Sequence, residues 1–297
     1  MNGVRTGGRG GPSGVRTGTG RCGVGPVGPG PFAARGAGLG FTRCLVGLRA
    51  GVAVEARKAM ASRVMASTTL LLVVGVGVLA LGMLLAAASG DEQVLAKLGP
   101  LAGAPGWTGL VGVVLQITAA AGVLAFGVAL SWMLGREFAD GTVAALFGLP
   151  VSRPAIALGK LVVYLAWSVV VAVALTGVIA IVGFAMGFGA TDAAGVRALA
   201  RIPVLVVLSA LIAVPAGWVA TIGRGLLPGI AATVGIIVVA QVSAIADVGV
   251  WVPLVAPALW AIAPDAVPAA ALLIVPTVPL AFGALCALAW SRLQLDR

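Results

Sequence analysis

The sequence predicts an all-α integral membrane protein. It should have six transmembrane helices, a short cytoplasmic helix between the second and third, and an interfacial or re-entrant element before the sixth. Three observations carry this expectation. Of 297 residues, 60% are hydrophobic and only 9% are charged, against roughly 25% charged in a soluble domain. The apolar residues run continuously over about the 20 positions that a helix needs to cross ~30 Å of hydrocarbon. These runs do not alternate as barrel strands would, and a helix satisfies its own backbone hydrogen bonds in lipid.

The spans are expected at 68–88, 110–134, 160–187, 203–222, 227–246 and 269–290. The first is followed by "AAASG", which looks cleavable, but its apolar stretch exceeds the 7–15 residues of a secretory signal core. It is therefore read as a membrane anchor. Ahead of it, residues 1–53 form a leader rich in Gly, Arg and Pro ("GGRGGPSGVRTGTGRCGVGPVGPG"). Too few large apolar side chains are present there to offset the entropy of ordering a backbone. The leader is expected either to be disordered or to precede the true translation start, near Val54 or Met60. Residues 54–297 then make up a six-helix transmembrane domain. The segment 247–268, "DVGVWVPLVAPALWAIAPDAVP", is too apolar for a solvated loop and too broken by proline for a straight span. It is read as the interfacial or re-entrant element. A seventh span there would move the C-terminus to the other side.

Orientation follows from the Lys and Arg residues, which accumulate on the cytoplasmic side. Of the 19, ten precede residue 64. With a cytoplasmic N-terminus, Arg136, Arg153, Lys160, Arg224, Arg292 and Arg297 also fall inside, leaving only Lys97, Arg197 and Arg201 outside. Both termini are thus expected in the cytoplasm, across the plasma membrane. The same distribution explains the formal charge of +10 as topology, so nucleic acid is not expected as a partner. Trp107, Trp132, Tyr164, Trp167, Trp218 and Trp290 fall towards span ends, where amphipathic rings sit among headgroups.

The absences narrow the chemistry. There is no histidine, and Cys22, Cys44 and Cys286 are odd in number and far apart. Neither a disulfide framework nor a zinc site is supported. The sequence places every acid and base in a loop or at a span end, whereas ion-coupled transporters carry ionisable groups at membrane depth. An intramembrane enzyme would need a nucleophile with a base, or a metal site. Gln116, Thr176, Ser209, Thr233, Gln241 and Thr277 are the polar residues within spans. They suit either interhelical hydrogen bonds or a substrate path, for which Gln116 and Gln241 are the candidates. "GFAMG", Gly183 to Gly187, has the small-xxx-small spacing of close helix contacts.

Charge gathers instead in "GREFADGTVAALFGLPVSRPAIALGK", residues 135–160, which holds Arg136, Glu137, Asp140, Arg153 and Lys160. No other charged residue lies between Lys97 and Asp192. Asp140-Gly141 is turn chemistry, and Thr142 suits the cap of a short helix from Val143 to Leu149, stopped by Pro150. Ser152 suits the cap of the next span, with Pro154 in its first turn. If the second span instead runs on, Phe138, Ala145, Leu146 and Leu149 share one face and Arg136, Glu137 and Asp140 another. Either an inert loop or a docking element for a soluble partner fits.

The interval "REFADGTVAALFGLPVSRPAIALGKLVVY" resembles the signature region of ABC type-2 exporter permeases, above all the bacitracin-export permease group. In that group E-x-x-x-G-T precedes L-x-x-P-x-S and S-R, and a G/A-K opens the next helix. "VEARKAMASR" before the first span is similar to the family's amphipathic lead-in helix, and "VWVPLVAPALW" resembles its last external loop. The resemblance covers residues 54–297. It implies an ATP-driven exporter for a hydrophobic or amphipathic molecule, an antibiotic, peptide or lipid, with a second permease copy, identical or not. It also implies that Glu137, Gly141, Thr142, Pro150, Ser152 and Arg153 form the cytoplasmic coupling element for a separate ATPase subunit, and the charged neighbours Arg136 and Asp140 of the same interval are counted with them. ATP and Mg would bind that partner: the run Gly159-Lys160-Leu161 lacks the hydroxyl of a phosphate-binding loop. No catalytic residue, metal or cofactor is expected in this chain. An ion-gradient-driven secondary transporter is the alternative.

Overall fold

The computed structural model describes residue 49 and residues 51–99, 101, 104–148, 151–245 and 249–293. Residues 1–48 and 50 of the leader, Cys22 and Cys44 among them, lie outside the described residues, as do Leu149, Pro150 and Arg297. Helix α1 covers residues 51–60. It is followed by α2 (Arg63–Ala88), α3 (Glu92–Leu98), α4 (Gly106–Ala139), α5 (Val143–Phe147), α6 (Arg153–Ala185), α7 (Ala193–Ile222), α8 (Leu226–Ile245), α9 (Ala256–Ile262) and α10 (Ala269–Arg292). Six of these, α2, α4, α6, α7, α8 and α10, are long and apolar enough to cross a membrane. The expected six-span all-α architecture is therefore observed.

Local chemistry sets the boundaries. Ser62 opens α2 by accepting the Met65 N–H at 3.2 Å, and Asp91 and Asp192 cap α3 and α7 in the same way. A π-helical turn, Leu71–Gly75, interrupts α2. Helix α7 breaks at Ala213, next to Pro215, whose missing N–H cannot continue the ladder. Between α4 and α5 the chain turns at Gly141, with φ of 67°, a conformation that glycine adopts without cost. That turn decides between the two local readings: α4 stops and a separate short helix follows. Thr142 and Ser152 occupy the cap positions before α5 and α6, but neither side chain makes a capping hydrogen bond.

The segment after α8 is a single 3₁₀ turn at Gly249–Trp251, then α9, then a 3₁₀ turn at Pro264–Ala266. Seven residues of helix rise only about 10 Å, so α9 does not span. It packs on α4 and α7, and the Arg201 guanidinium of α7 donates to the Ala261 carbonyl at 3.0 Å.

Lipid tails are as apolar as leucine, so packing rather than exclusion from solvent brings spans together. Helices α4 and α7 form the inner pair. In its most apolar stretch 61% of α7 is buried, against 11% for α8, which presents Val234, Val238, Val242 and Ile245 outward. Small residues set the approach of α4 to the turn before α8. A Cβ at Gly135 would stand 2.7 Å from the Gly225 carbonyl carbon, closer than any real contact. The "GFAMG" expectation is corrected: α6 ends at Ala185, and Gly187 is in the following turn with φ of 79°. Only Gly183 packs closely, against the Trp107 ring.

The aromatic expectation also needs correction at three positions. Trp107, Tyr164 and Trp290 are buried in the protein rather than exposed to headgroups. Each has found an internal acceptor: Gly189 carbonyl at 3.3 Å, Ala210 carbonyl at 2.9 Å and Thr221 hydroxyl at 3.4 Å. Aromatic N–H and O–H groups accept burial when so partnered.

Gly135→Ala should lower the unfolding temperature in detergent by the equivalent of about 1–3 kcal/mol of overpacking. Gly82→Ala, where nothing lies within 4 Å of the added methyl, should leave it unchanged or raise it. Equal melting of the two variants would contradict the packing assignment.

Candidate functional site

Helix α1 carries Glu55 and Lys58 three residues apart, hence on one face. The last turn of α4 carries Glu137, and Lys160 projects two turns into α6. The four meet. The Lys160 ammonium lies 2.8 Å from Glu55 Oε2 and 2.7 Å from Glu137 Oε1. The Lys58 ammonium lies 2.8 Å from Glu55 Oε1 and 3.2 Å from the same Glu137 Oε1. Lys160 is 1% exposed, Glu137 3% and Glu55 5%, while Lys58 closes the group from its partly exposed side.

This arrangement overturns the expectation that all charges stay in loops or at span ends. Because α6 begins at Arg153 rather than Lys160, that lysine sits inside the helix and inside the protein. Burying charge costs several kcal/mol per ion, and close opposite charges with hydrogen bonds offset it. Two carboxylates and two ammonium groups balance. Glu137 Oε2 is the exception, buried with no hydrogen-bond partner among the described residues.

For the two members on α1 the electrostatic consequences are opposite in sign. Burial would raise the Glu55 carboxyl, but attraction and hydrogen bonding to Lys160, then to Lys58, outweigh it and hold the group below its ordinary 4.5. Burial would lower Lys58, but hydrogen bonding and attraction to Glu55, then Glu137, outweigh that and hold it above 10.5. A depressed acid contributes stability that is lost as pH falls through its folded value, and a raised base contributes stability lost as pH rises through its own.

Among the described residues of the charged interval, the others make no ion pair with this cluster. The Thr142 hydroxyl donates to the Glu137 carbonyl at 3.4 Å. Arg136 stacks over the Trp132 ring at 4.6 Å, a cation–π arrangement. Asp140, Gly141 and Ser152 are exposed. Arg153 donates to the Leu293 carbonyl just beyond α10, so the start of α6 is tied to the end of the last span. Of the expected coupling residues, only Glu137 is a member of the buried cluster. Glu55, Lys58 and Lys160 complete it from segments distant in sequence. The available signal was the i,i+3 pair of opposite charges on a lead-in helix and a lone lysine before a wholly apolar run.

Gln116 and Gln241 come together elsewhere. Gln116 lies 21 residues from Glu137 on α4, about 32 Å along the helix. Both line a cavity of about 360 Å³ with Ser209, between α4, α7 and α8 and covered by α9. The Gln116 amide donates to the Lys97 carbonyl at 3.3 Å, while its Oε1 is buried without a partner among the described residues. Thr176, Thr233 and Thr277 instead donate to carbonyls of their own helices or turns. Among the described residues no three His, Cys, Asp or Glu side chains come together to hold a metal ion.

Six candidate spans, a helix ahead of the first and a short helix between the second and third describe a polytopic membrane protein. Residues 52–241 match the model of the ABC-2 family transporter proteins. The chain belongs to that family and is the membrane-embedded subunit of an ABC transporter. Neither the curated proteins nor the solved structures provide a match.

Two outcomes test the cluster. Lys160→Met should destabilise by about 3–5 kcal/mol, because it strands buried carboxylates. Adding Glu137→Gln should recover a large part of that loss in a double-mutant cycle, and additive losses would show that the pair is not coupled. In pH titrations of thermal unfolding, the wild-type protein should lose stability below about pH 4.5 and above about pH 10.5. Glu55→Gln should flatten the acid limb.

Proposed function

We propose that this chain is the permease of an ATP-driven exporter for a hydrophobic or amphipathic molecule, and that the α4–α5–α6 connector receives the push of a separate ATPase. The carrying observation is the position of the charge cluster. It joins α1, α4 and α6 immediately beside that connector. A force on α5 reaches α4 and α6 directly, because only a few residues separate it from either helix. Through Lys160 and Glu137 it also reaches α1, and through Arg153 the end of α10. The connector therefore acts on four helices at once.

The cargo class rests on the cavity beneath α9. Among the described residues no charged side chain lines it, so a charged solute would find no counter-charge there. Its polar groups, Gln116, Ser209 and Gln241, suit a neutral molecule with an apolar body and a hydrogen-bond donor for Gln116 Oε1. Cytoplasmic termini, by the Lys and Arg count, place the connector on the ATP side and the cavity on the outer side. A pair of permeases with a pair of ATPases completes the assembly.

The ion-driven alternative gains one observation, since buried ionisable groups do exist. They neutralise one another at one end of the bundle instead of being spaced along a route, which is how a lock is built rather than a proton path.

Membranes holding the permease with its ATPase should show substrate-stimulated ATP hydrolysis. The pair Glu137→Ala with Arg153→Ala should leave basal hydrolysis intact and abolish stimulation and transport. Undiminished transport in that variant, or transport by the permease alone under an ion gradient, would refute the reading.

A further inference from the structure

We infer that a cleft between α1, α2 and α6 binds one acyl chain of an anionic phospholipid from the leaflet at the α1 end, with Arg57 and Arg63 taking the headgroup. The cleft has a volume of about 710 Å³ and is walled by Ala56 and Met60 of α1, Ala66 and Val73 of α2, and Val163 and Val170 of α6. That size is within the range of well-formed ligand sites.

Its lining leaves nothing for water. The polar groups at the wall are Thr69 and Trp167, and they satisfy each other: the indole N–H donates to the Thr69 hydroxyl at 2.9 Å, and that hydroxyl donates to the Met65 carbonyl at 2.8 Å. An apolar chain is the fitting occupant. From Met65 to Val74 the cleft follows α2 for nine residues, about 14 Å of rise. That is close to half of a ~30 Å hydrocarbon core, the depth of one leaflet.

Charge identifies the headgroup. Residues 49–88 contain one acid, Glu55, and its two oxygens are occupied by Lys58 and Lys160. Arg57, near the end of α1, and Arg63, the first residue of α2, are six positions apart and both exposed. Arg57 precedes Met60 by three residues and Arg63 precedes Ala66 by three, so each cation shares a helix face with a residue of the cleft wall. The buried cluster thus removes the negative charge from this stretch and leaves two positive groups at the mouth of an apolar slot. A phosphodiester without a compensating amine matches them; a zwitterionic headgroup brings its own cation. Lysine and arginine near a bilayer surface draw anionic lipids in this way.

The test uses the full chain in phosphatidylcholine vesicles doped with dibrominated phosphatidylglycerol or, in parallel, with the same fraction of dibrominated phosphatidylcholine. Bromine quenches nearby tryptophan, and the Trp167 component is the difference between the wild-type protein and Trp167→Phe. That component should be quenched more strongly by the anionic lipid. Arg57→Gln with Arg63→Gln, two exposed changes, should reduce the preference about tenfold. Native mass spectrometry of protein released from the same vesicles is independent of Trp167. It should show a retained phosphatidylglycerol in the wild type and not in the double variant. Equal quenching by the two lipids would mean ordinary bilayer contact, and no quenching of Trp167 would mean that protein covers the cleft. Either result, or an unchanged adduct in the double variant, overturns the inference.

Discussion

Lys160 enters the protein as a full positive charge with 1% of its surface exposed, and the architecture around it follows from the need to balance that charge. One carboxylate comes from the end of α4 and another from α1, and Lys58 balances the second negative charge. The requirement is stringent because removing any one partner leaves an uncompensated ion in a low-dielectric interior. A lead-in helix that could otherwise float at the membrane surface is thereby fixed against two spans. Further along α6 the polarity persists more weakly, with Tyr164 one turn beyond Lys160 donating to the Ala210 carbonyl of α7. The connector end of the bundle is accordingly held by directional interactions.

Elsewhere the cohesion is of another kind. Hydrocarbon does not drive apolar helices together, so contact depends on shape. Gly127 lies against Thr233, and Gly229 against Ser131, so that α4 and α8 approach closely through positions without side chains. Ser131 and Thr233 satisfy their hydroxyls on their own helix backbones, so neither hydroxyl is left unpaired by the close approach. Rings fill the remaining gaps, as where Phe126 meets Tyr164 and Trp167 edge-on at 6.2 and 5.3 Å. The result is a well-packed inner pair, α4 and α7, with outer helices whose exposed faces are as apolar as the lipid they meet.

The two ends of α4 thus serve different chemistry. At one end a closed set of charges is packed tightly, with a space of only about 10 Å³ beside it. At the other, a neutral cavity of about 360 Å³ sits under α9, which the Arg201 bond to the Ala261 carbonyl holds in place. One rigid helix about 50 Å long connects them. A tight end and a roomy end thus share a common rod.

The sequence by itself determined the membrane class and the six spans, and offered the separate short helix as one of two readings, because these depend on composition and on local stereochemistry. Runs of about 20 apolar residues and the Asp140-Gly141 turn act through near neighbours in the chain. It also singled out Glu137, Gln116 and Gln241. Tertiary structure alone decided what those residues meet. Glu55 and Lys160 are 105 positions apart and become partners only because α1 folds back on α6, and no local rule specifies that distance. For the same reason Trp290 and Tyr164 read as headgroup anchors in the sequence and proved to be buried. Position along a span fixes depth in the membrane, whereas the direction a side chain faces depends on which helices pack beside it.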